Sequence, residues 1–192
     1  MGEMKSAFEK ALEKVDKLGK LSPEEMRERQ EEEYIPIGRA ISERFLGHGH
    51  KQILKEEVER YSSDEKVIVV KAARSRLVEA IDFSNGDQIK RSLDGLLTLE
   101  GKERIGGKID RIRILFAEFQ EEREREYERE KGNIEKSERE LLHQLRITGS
   151  AVGAINPKAS ESLSLMYEKL SSRFNERLEA LKQELRIFFN GS

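Results

Sequence analysis

Residues 108–148 read KIDRIRILFAEFQEEREREYEREKGNIEKSERELLHQLRIT, and residues 158–189 read KASESLSLMYEKLSSRFNERLEALKQELRIFF. The architecture follows from these two stretches. The first contains no proline and is dominated by Arg, Glu and Lys. Its apolar residues still recur with helical spacing: Ile109, Ile112, Phe116 and Phe119, then Tyr127, Ile134 and Leu141 seven apart, then Leu145. The second is stronger, with Leu163, Tyr167, Leu170, Phe174, Leu178, Leu181, Leu185 and Phe188 in steps of three or four. Both patterns place one apolar stripe on one side of a long helix. Gly149 to Pro157 supplies turn chemistry between them. Two long helices so connected are predicted to fold back as an antiparallel coiled-coil hairpin. An arm of this length extends on the order of 60 Å. Gly132-Asn133 marks a point where the first arm is open to a kink or break, with Ser137 and Glu140 placed for a fresh capping box.

The register follows if residue 148 faces residue 158. Leu163 then lies near His143, Phe174 near Gly132, Leu181 near Arg125 and Phe188 near Glu118. In that register the apolar half of the second arm faces Glu and Arg, with Tyr127 the lone apolar residue between Gln120 and Asn133. A stripe of Phe174, Leu178, Leu181, Leu185 and Phe188 does not stay uncovered in water. It requires a third surface, either the N-terminal helix or a second copy of the chain. These five residues are the candidate partner-binding set.

Upstream of the arms, residues 101–107 form a basic, glycine-containing joint, and residues 1–100 read as a small helical head. Met4, Ala7, Phe8, Ala11, Leu12, Val15 and Leu18 lie on one helical stripe closed by Gly19. Ser22, Pro23 and Glu25 spell a capping box with proline at the first helical position, and Leu21 and Met26 have the spacing of a hydrophobic staple. That helix is predicted to stop near Pro36, because Ile35 is biased away from helical torsions. A shorter helix carries Ile37 to Phe45 and ends at Gly47. Another carries Ile53 to Tyr61, and a third is capped by Ser63 and runs through Val67, Leu77 and Ile81. Val67 to Val70 alone also suits a buried strand; Ala72, Ala73, Leu77 and Ala80 continue one face and favour helix. Ser84-Asn85-Gly86 is a turn, and Ile89, Leu93, Leu96 and Leu97 mark a last short helix. The fold class is therefore all-α.

Several segments have the outline of a chemical motif. Gly101-Lys-Glu-Arg-Ile-Gly-Gly107-Lys108 resembles a phosphate loop in composition only. Counting back from Gly107-Lys108, the first glycine position holds Lys102 and the Ser/Thr position holds Ile109. What survives is a set of cations, Lys102, Arg104, Lys108 and Arg111 with Arg113, around glycines at a helix start, a candidate contact for an anion or a nucleic-acid backbone. Glu140-Leu-Leu-His143 has the spacing of a di-iron helix but lacks the second pair and the further glutamates. His48-Gly-His50 offers two ligands without partners. Asp82 to Asp87 fails as a calcium loop, since glycine falls at position five and Leu93 at position twelve. The Glu/Arg run from Glu121 to Lys131 reads as a solvated helical face.

Composition agrees with this reading. Charged residues make up 39% of the 192 positions and hydrophobic ones 36%. The 36 Lys+Arg and 38 Asp+Glu leave a net charge of −2, so charge is abundant but not one-sided. There is no cysteine and no tryptophan, which excludes disulfides and thiol chemistry. No apolar run suits a membrane span or a secretory signal, and a cytoplasmic setting is expected. The expectation is a non-enzymatic interaction or scaffold protein, self-associating as a homodimer or bound to a protein partner. No catalytic residue, cofactor, metal or small-molecule substrate is assigned. Nucleic-acid contact through residues 101–113 is the alternative reading, and a helical-bundle metalloprotein a remote one.

Overall fold

A computed structural model describes residues 22–144 and 157–191; of these, the side chains of 23, 135, 137–144 and 157–162 are not described. Among the described residues every regular element is a helix and none is a strand: α1 (Pro23–His48), α2 (Lys51–Glu59), α3 (Ser63–Glu79), α4 (Gly86–Glu100), α5 (Lys102–Gln144) and α6 (Pro157–Asn190). No helix among them is long and apolar enough to cross a membrane. The stripe from Met4 to Leu18, and Leu21 of the staple with Met26, lie outside the described residues.

The chain divides by its internal packing at Arg76/Leu77, within α3, into Met1–Arg76 and Leu77–Ser192. The sequence reading places a boundary near residue 100; here Leu77 to Glu100 falls in the same unit as the two long helices. The expected joint is also displaced. Gly101 alone stands outside a helix, at φ 84°, and α5 starts at Lys102. The first arm is thus longer than expected at its start, and residues 102–107 belong to it. It runs through Gly132-Asn133 as one helix, so the break considered there does not occur.

In the first unit, α1 opens as its sequence predicts. The Glu25 amide donates to Ser22 Oγ at 3.1 Å and the Ser22 amide to Glu25 Oε2 at 2.7 Å, with Pro23 at the first turn. The helix does not stop at Pro36. Proline removes one amide donor, but Pro36 is exposed, as is Glu32, whose carbonyl loses that donor. What holds the helix straight through is the packing beyond it. Ile41, Ser42, Phe45 and Leu46 are buried, as are Leu54, Val58, Val69, Ala72 and Ala73. A Cβ placed on Gly38 would lie 2.3 Å from the Val69 carbonyl oxygen, so α1 and α3 touch backbone to backbone there. Ser42 Oγ donates to the Ala73 carbonyl at 3.0 Å in the same contact. Gly49 ends α1 in the left-handed region at φ 75° and donates to the Phe45 carbonyl. Ser62, not Ser63, precedes α3, its carbonyl accepting from the Lys66 amide and its amide donating to Glu65. Val67–Val70 is helix, with Val69 buried and Val67 exposed.

In the second unit, Asn85 caps α4 by accepting from the Asp87 and Gln88 amides, both at 3.1 Å. Ile89, Leu93 and Leu96 are buried on that helix. The stripe Ile105, Ile109, Ile112, Leu115 and Phe119 of α5 is buried, as are Leu170, Phe174, Leu178 and Leu185 of α6. Three cross-helix ion pairs fix the register between them: Arg111 with Glu184, Glu118 with Arg177 and Glu122 with Arg173. The two helices run antiparallel, and 118 faces 177 where the sequence reading put 188. That register is overturned, and with it the need for an outside cover.

The apolar half of α6 meets the apolar half of α5. The rest of the cover comes from the segment before α4. Phe83 stacks on Phe119 with centroids 4.3 Å apart and meets Phe174 edge-on at 6.0 Å, and Phe119 meets Phe174 at 5.4 Å. Burial of these three side chains contributes about 4.5–9 kcal/mol before the entropy of ordering is charged against it.

Candidate interaction face

The five residues assigned to partner binding divide. Phe174, Leu178 and Leu185 are buried within the chain, Leu178 to 2% exposure. They are core positions of the α5–α6 seam. Leu181 and Phe188 are part-exposed at its edge. Phe188 is covered by cations, with the Arg104 guanidinium 5.6 Å and the Lys108 ammonium 5.7 Å from its ring centre.

The basic segment is placed differently from its expectation. Gly106 and Gly107 lie in the second turn of α5, where backbone amides are taken up by the helix itself. They form no cradle for an anion. Arg104 is ion-paired to Glu100 at 2.8 Å, and Arg113 to Asp94 and Asp110 at 3.5 and 3.3 Å. Arg111 grips Glu184 through both terminal nitrogens, and this bond holds the Glu184 carboxyl below the usual carboxylate range. Lys102 is exposed at the start of α5. The structure thus ties Arg104, Arg111 and Arg113 to carboxylates and sets Lys108 over Phe188.

Other motif residues settle as local structure. His48 Nδ1 accepts from the His50 amide at 3.2 Å, and the two rings stack at 4.8 Å. Asp82 accepts from the Ser84 amide at 2.6 Å, a turn-stabilising bond. The side chains of Glu140 and His143, and the capping pair Ser137 and Glu140, lie outside the described side chains. Among the described residues no three His, Asp or Glu side chains converge as a metal site would require.

One flank of the α5–α6 pair carries what the sequence reading missed. Its rungs are the three Arg–Glu pairs. Between the first and second rung sits Ile114, 59% exposed on α5, at the level of Leu181 on α6. Beyond them lies a hollow of about 520 Å³ floored by Phe174 and walled by Glu118, Glu122, Arg173 and Arg177. The guanidinium groups of Arg173 and Arg177 each stand 5.5 Å from the Phe174 ring centre. A second hollow of about 390 Å³ follows along the same helices and shares Arg173, with Leu165, Met166 and Leu170 among its lining. Leu165 is 49% exposed, and Tyr127 is also exposed while Ile134 and Leu163 are half-buried. The seam that is closed from Ile105 to Phe119 is therefore only partly closed further out.

Lys182 is a second missed feature. It sits in the apolar stripe of α6, between Leu178 and Leu185, and is buried. Its ammonium donates to the Ile81 carbonyl at 3.1 Å and pairs with Glu179 at 2.7 Å. The bond from Lys182 lowers the Glu179 pKa. This lysine satisfies a carbonyl just past the end of α3, where the helix leaves acceptors without intrahelical donors.

No protein-family model matches the chain. Neither a curated protein nor a solved structure resembles it significantly.

Proposed function

We propose that this chain is a non-enzymatic interaction protein in which α5 and α6 act as an antiparallel coiled-coil hairpin that binds protein partners, its own copies included. The single observation that carries the reading is the open flank of the helix pair. Apolar side chains at Ile114 and Leu165 stand exposed there among ordered charge pairs, and two adjoining hollows are lined by Phe174 and by Leu165, Met166 and Leu170 beside charged residues. Scattered exposed apolar residues are ordinary, but apolar side chains set beside hollows with charged walls have the composition of an interface core and rim. The ion pairs suit this role. Exposed pairs contribute little to folding, roughly 0–1 kcal/mol each, yet they hold long side chains in a fixed pattern that a partner reads.

The test is site-specific photocrosslinking in an extract of the native host. A photoreactive residue at Ile114, Met166 or Arg173 is expected to capture protein, whether another molecule of this chain or a different one. The same residue at Lys90 on α4, also exposed, is the control. Equal yields from flank and control, or none from the flank, refute the reading.

A further inference from the structure

The flank has a symmetry that identifies its partner. Along it the polarity of the rungs reverses. Arg111 on α5 pairs with Glu184 on α6, while the next rungs have the acid on α5 and the base on α6: Glu118 with Arg177, and Glu122 with Arg173. The reversal falls at the level of Ile114 and Leu181. We infer that the partner of this flank is a second copy of the chain, docked about a two-fold axis that crosses both helices at that level. The inference rests on the interaction reading above and narrows it to one occupant.

Charge complementarity singles out a second copy. A two-fold axis lying in the face turns α5 of one copy end for end over α5 of the other. Arg111 then comes to the level of Glu118 of the second copy, and Lys108 to the level of Glu121. On α6, Glu184 comes to the level of Arg177 of the second copy. Every rung adjoining the axis meets its opposite sign, because the reversal is centred where the axis passes. Such a self-complementary patch is what an isologous contact requires. A different protein would need the same reversal at the same spacing on its own surface; a second copy carries it by construction.

The apolar residues fall in the same order. Ile114, largely exposed in the single chain, sits at the axis and meets Ile114 of the second copy. Leu181, part-exposed, lies beside it. Ile187, 63% exposed, comes to the level of the Phe174-floored hollow of the other copy. A like-charged pair also arises, Arg104 against Arg125 of the second copy. It falls away from the axis, and each of these arginines already has a carboxylate within its own chain, Glu100 at 2.8 Å and Glu121 at 3.1 Å.

The experiment uses the full chain. Sedimentation equilibrium of wild type is expected to give a dimer in the micromolar range. Ile114→Asp puts two carboxylates face to face at the axis and is expected to raise the dimer dissociation constant roughly 100-fold or more. Its helical circular dichroism and melting as a monomer should not change, since the side chain is exposed in the single chain. A single-cysteine variant, Ile114→Cys, uses the absence of native cysteine. It should couple to itself through a short thiol crosslinker. Ile187→Cys, equally exposed, should not, because its two copies are about 20 Å apart along the helices in this arrangement. Wild type that stays monomeric at all concentrations overturns the second-copy inference, while capture of another protein at the flank would leave the interaction reading standing. A dimer that Ile114→Asp leaves intact, with no self-coupling at Ile114→Cys, overturns this axis. Absence of both self-association and flank capture overturns the two readings together.

Discussion

Gly38→Ala is the substitution on which the first unit's packing makes its sharpest statement. Gly38 lies inside α1, and alanine is favoured over glycine in a helix interior by about 0.8–1.0 kcal/mol. Propensity alone therefore predicts stabilisation. The contact predicts the opposite. The new Cβ would stand 2.3 Å from the Val69 carbonyl oxygen and 2.8 Å from the Ala72 Cβ, both on α3. Neither atom belongs to a flexible side chain that can swing away, so the helices must part by roughly 1 Å to restore van der Waals spacing. Overpacking of this kind costs typically about 1–3 kcal/mol. Parting the helices also stretches the bond from Ser42 to the Ala73 carbonyl, 3.0 Å in the native contact, and the Ser42 hydroxyl is fully buried. Leaving it unpaired adds about 1–3 kcal/mol. The net expectation is a loss of about 1–5 kcal/mol, or roughly 2–20 °C in the helical melt of a chain this size. Gly132→Ala is the control. It meets nothing within 4 Å and lies within the continuous α5, so it should be neutral or stabilising by up to about 1 kcal/mol. If Gly38→Ala melts at or above the wild-type temperature, the close approach of α1 and α3 is wrong.

Three further outcomes are expected. Tyr34 donates to Glu65 at 2.6 Å, and that bond, with burial and the neighbouring negative charges, pushes its pKa up to about 12. Alkaline titration of tyrosinate absorbance should show a late step that Tyr34→Phe removes; the stability linked to this phenol is full below the ordinary tyrosine pKa of about 10 and is lost as pH rises through about 12. Glu65, which accepts from Tyr34 and Ser62, has its pKa lowered, so its contribution is present above the ordinary carboxylate pKa and is lost as pH falls through the lowered one; Glu65→Gln should flatten the acid limb of a helicity-against-pH curve. Lys182→Met keeps most of the volume but leaves the Ile81 carbonyl without its donor, and should lower stability by about 1–3 kcal/mol in urea unfolding, whereas a neutral result would mean that water reaches that carbonyl.

The helices were legible where a local signal decides them. Ser22, Pro23 and Glu25 specify the start of α1 by themselves, and the stripes of α5 and α6 specify long helices. Pro36 misleads because the bias of the residue before proline is a local preference, and the packing of Ile41, Ser42 and Phe45 outweighs it. The register between α5 and α6 is not contained in the stripes at all. The true register is displaced by 11 residues, with Arg177 and not Phe188 opposite Glu118. Eleven residues is close to three helical turns, so the displacement returns each stripe to the same side of its helix. Periodicity is blind to such a shift, and only the cross-helix pairs decide it. The consequence reaches the candidate site: the wrong register exposes Phe174 to Leu185 and assigns them to a partner, while the right one buries Phe174, Leu178 and Leu185 and leaves Ile114, Ile187 and Leu165 outside. Lys182 carried one readable signal, a lysine in the apolar slot between Leu178 and Leu185, which marks a buried acceptor for its ammonium.

The register is the claim on which the interaction face depends, since the reversal of rung polarity at Ile114 exists only if Glu118 faces Arg177. Paired spin labels measure it directly on the cysteine-free chain, kept dilute or mixed with unlabelled protein so that distances within one molecule dominate. With labels at Glu118→Cys and Arg177→Cys, the short distance expected between facing positions on adjacent helices should appear, and with labels at Glu118→Cys and Phe188→Cys a distance longer by roughly 10 Å should appear, set by an offset of about 16 Å along the axis. A short 118–188 distance with a long 118–177 distance would contradict the account.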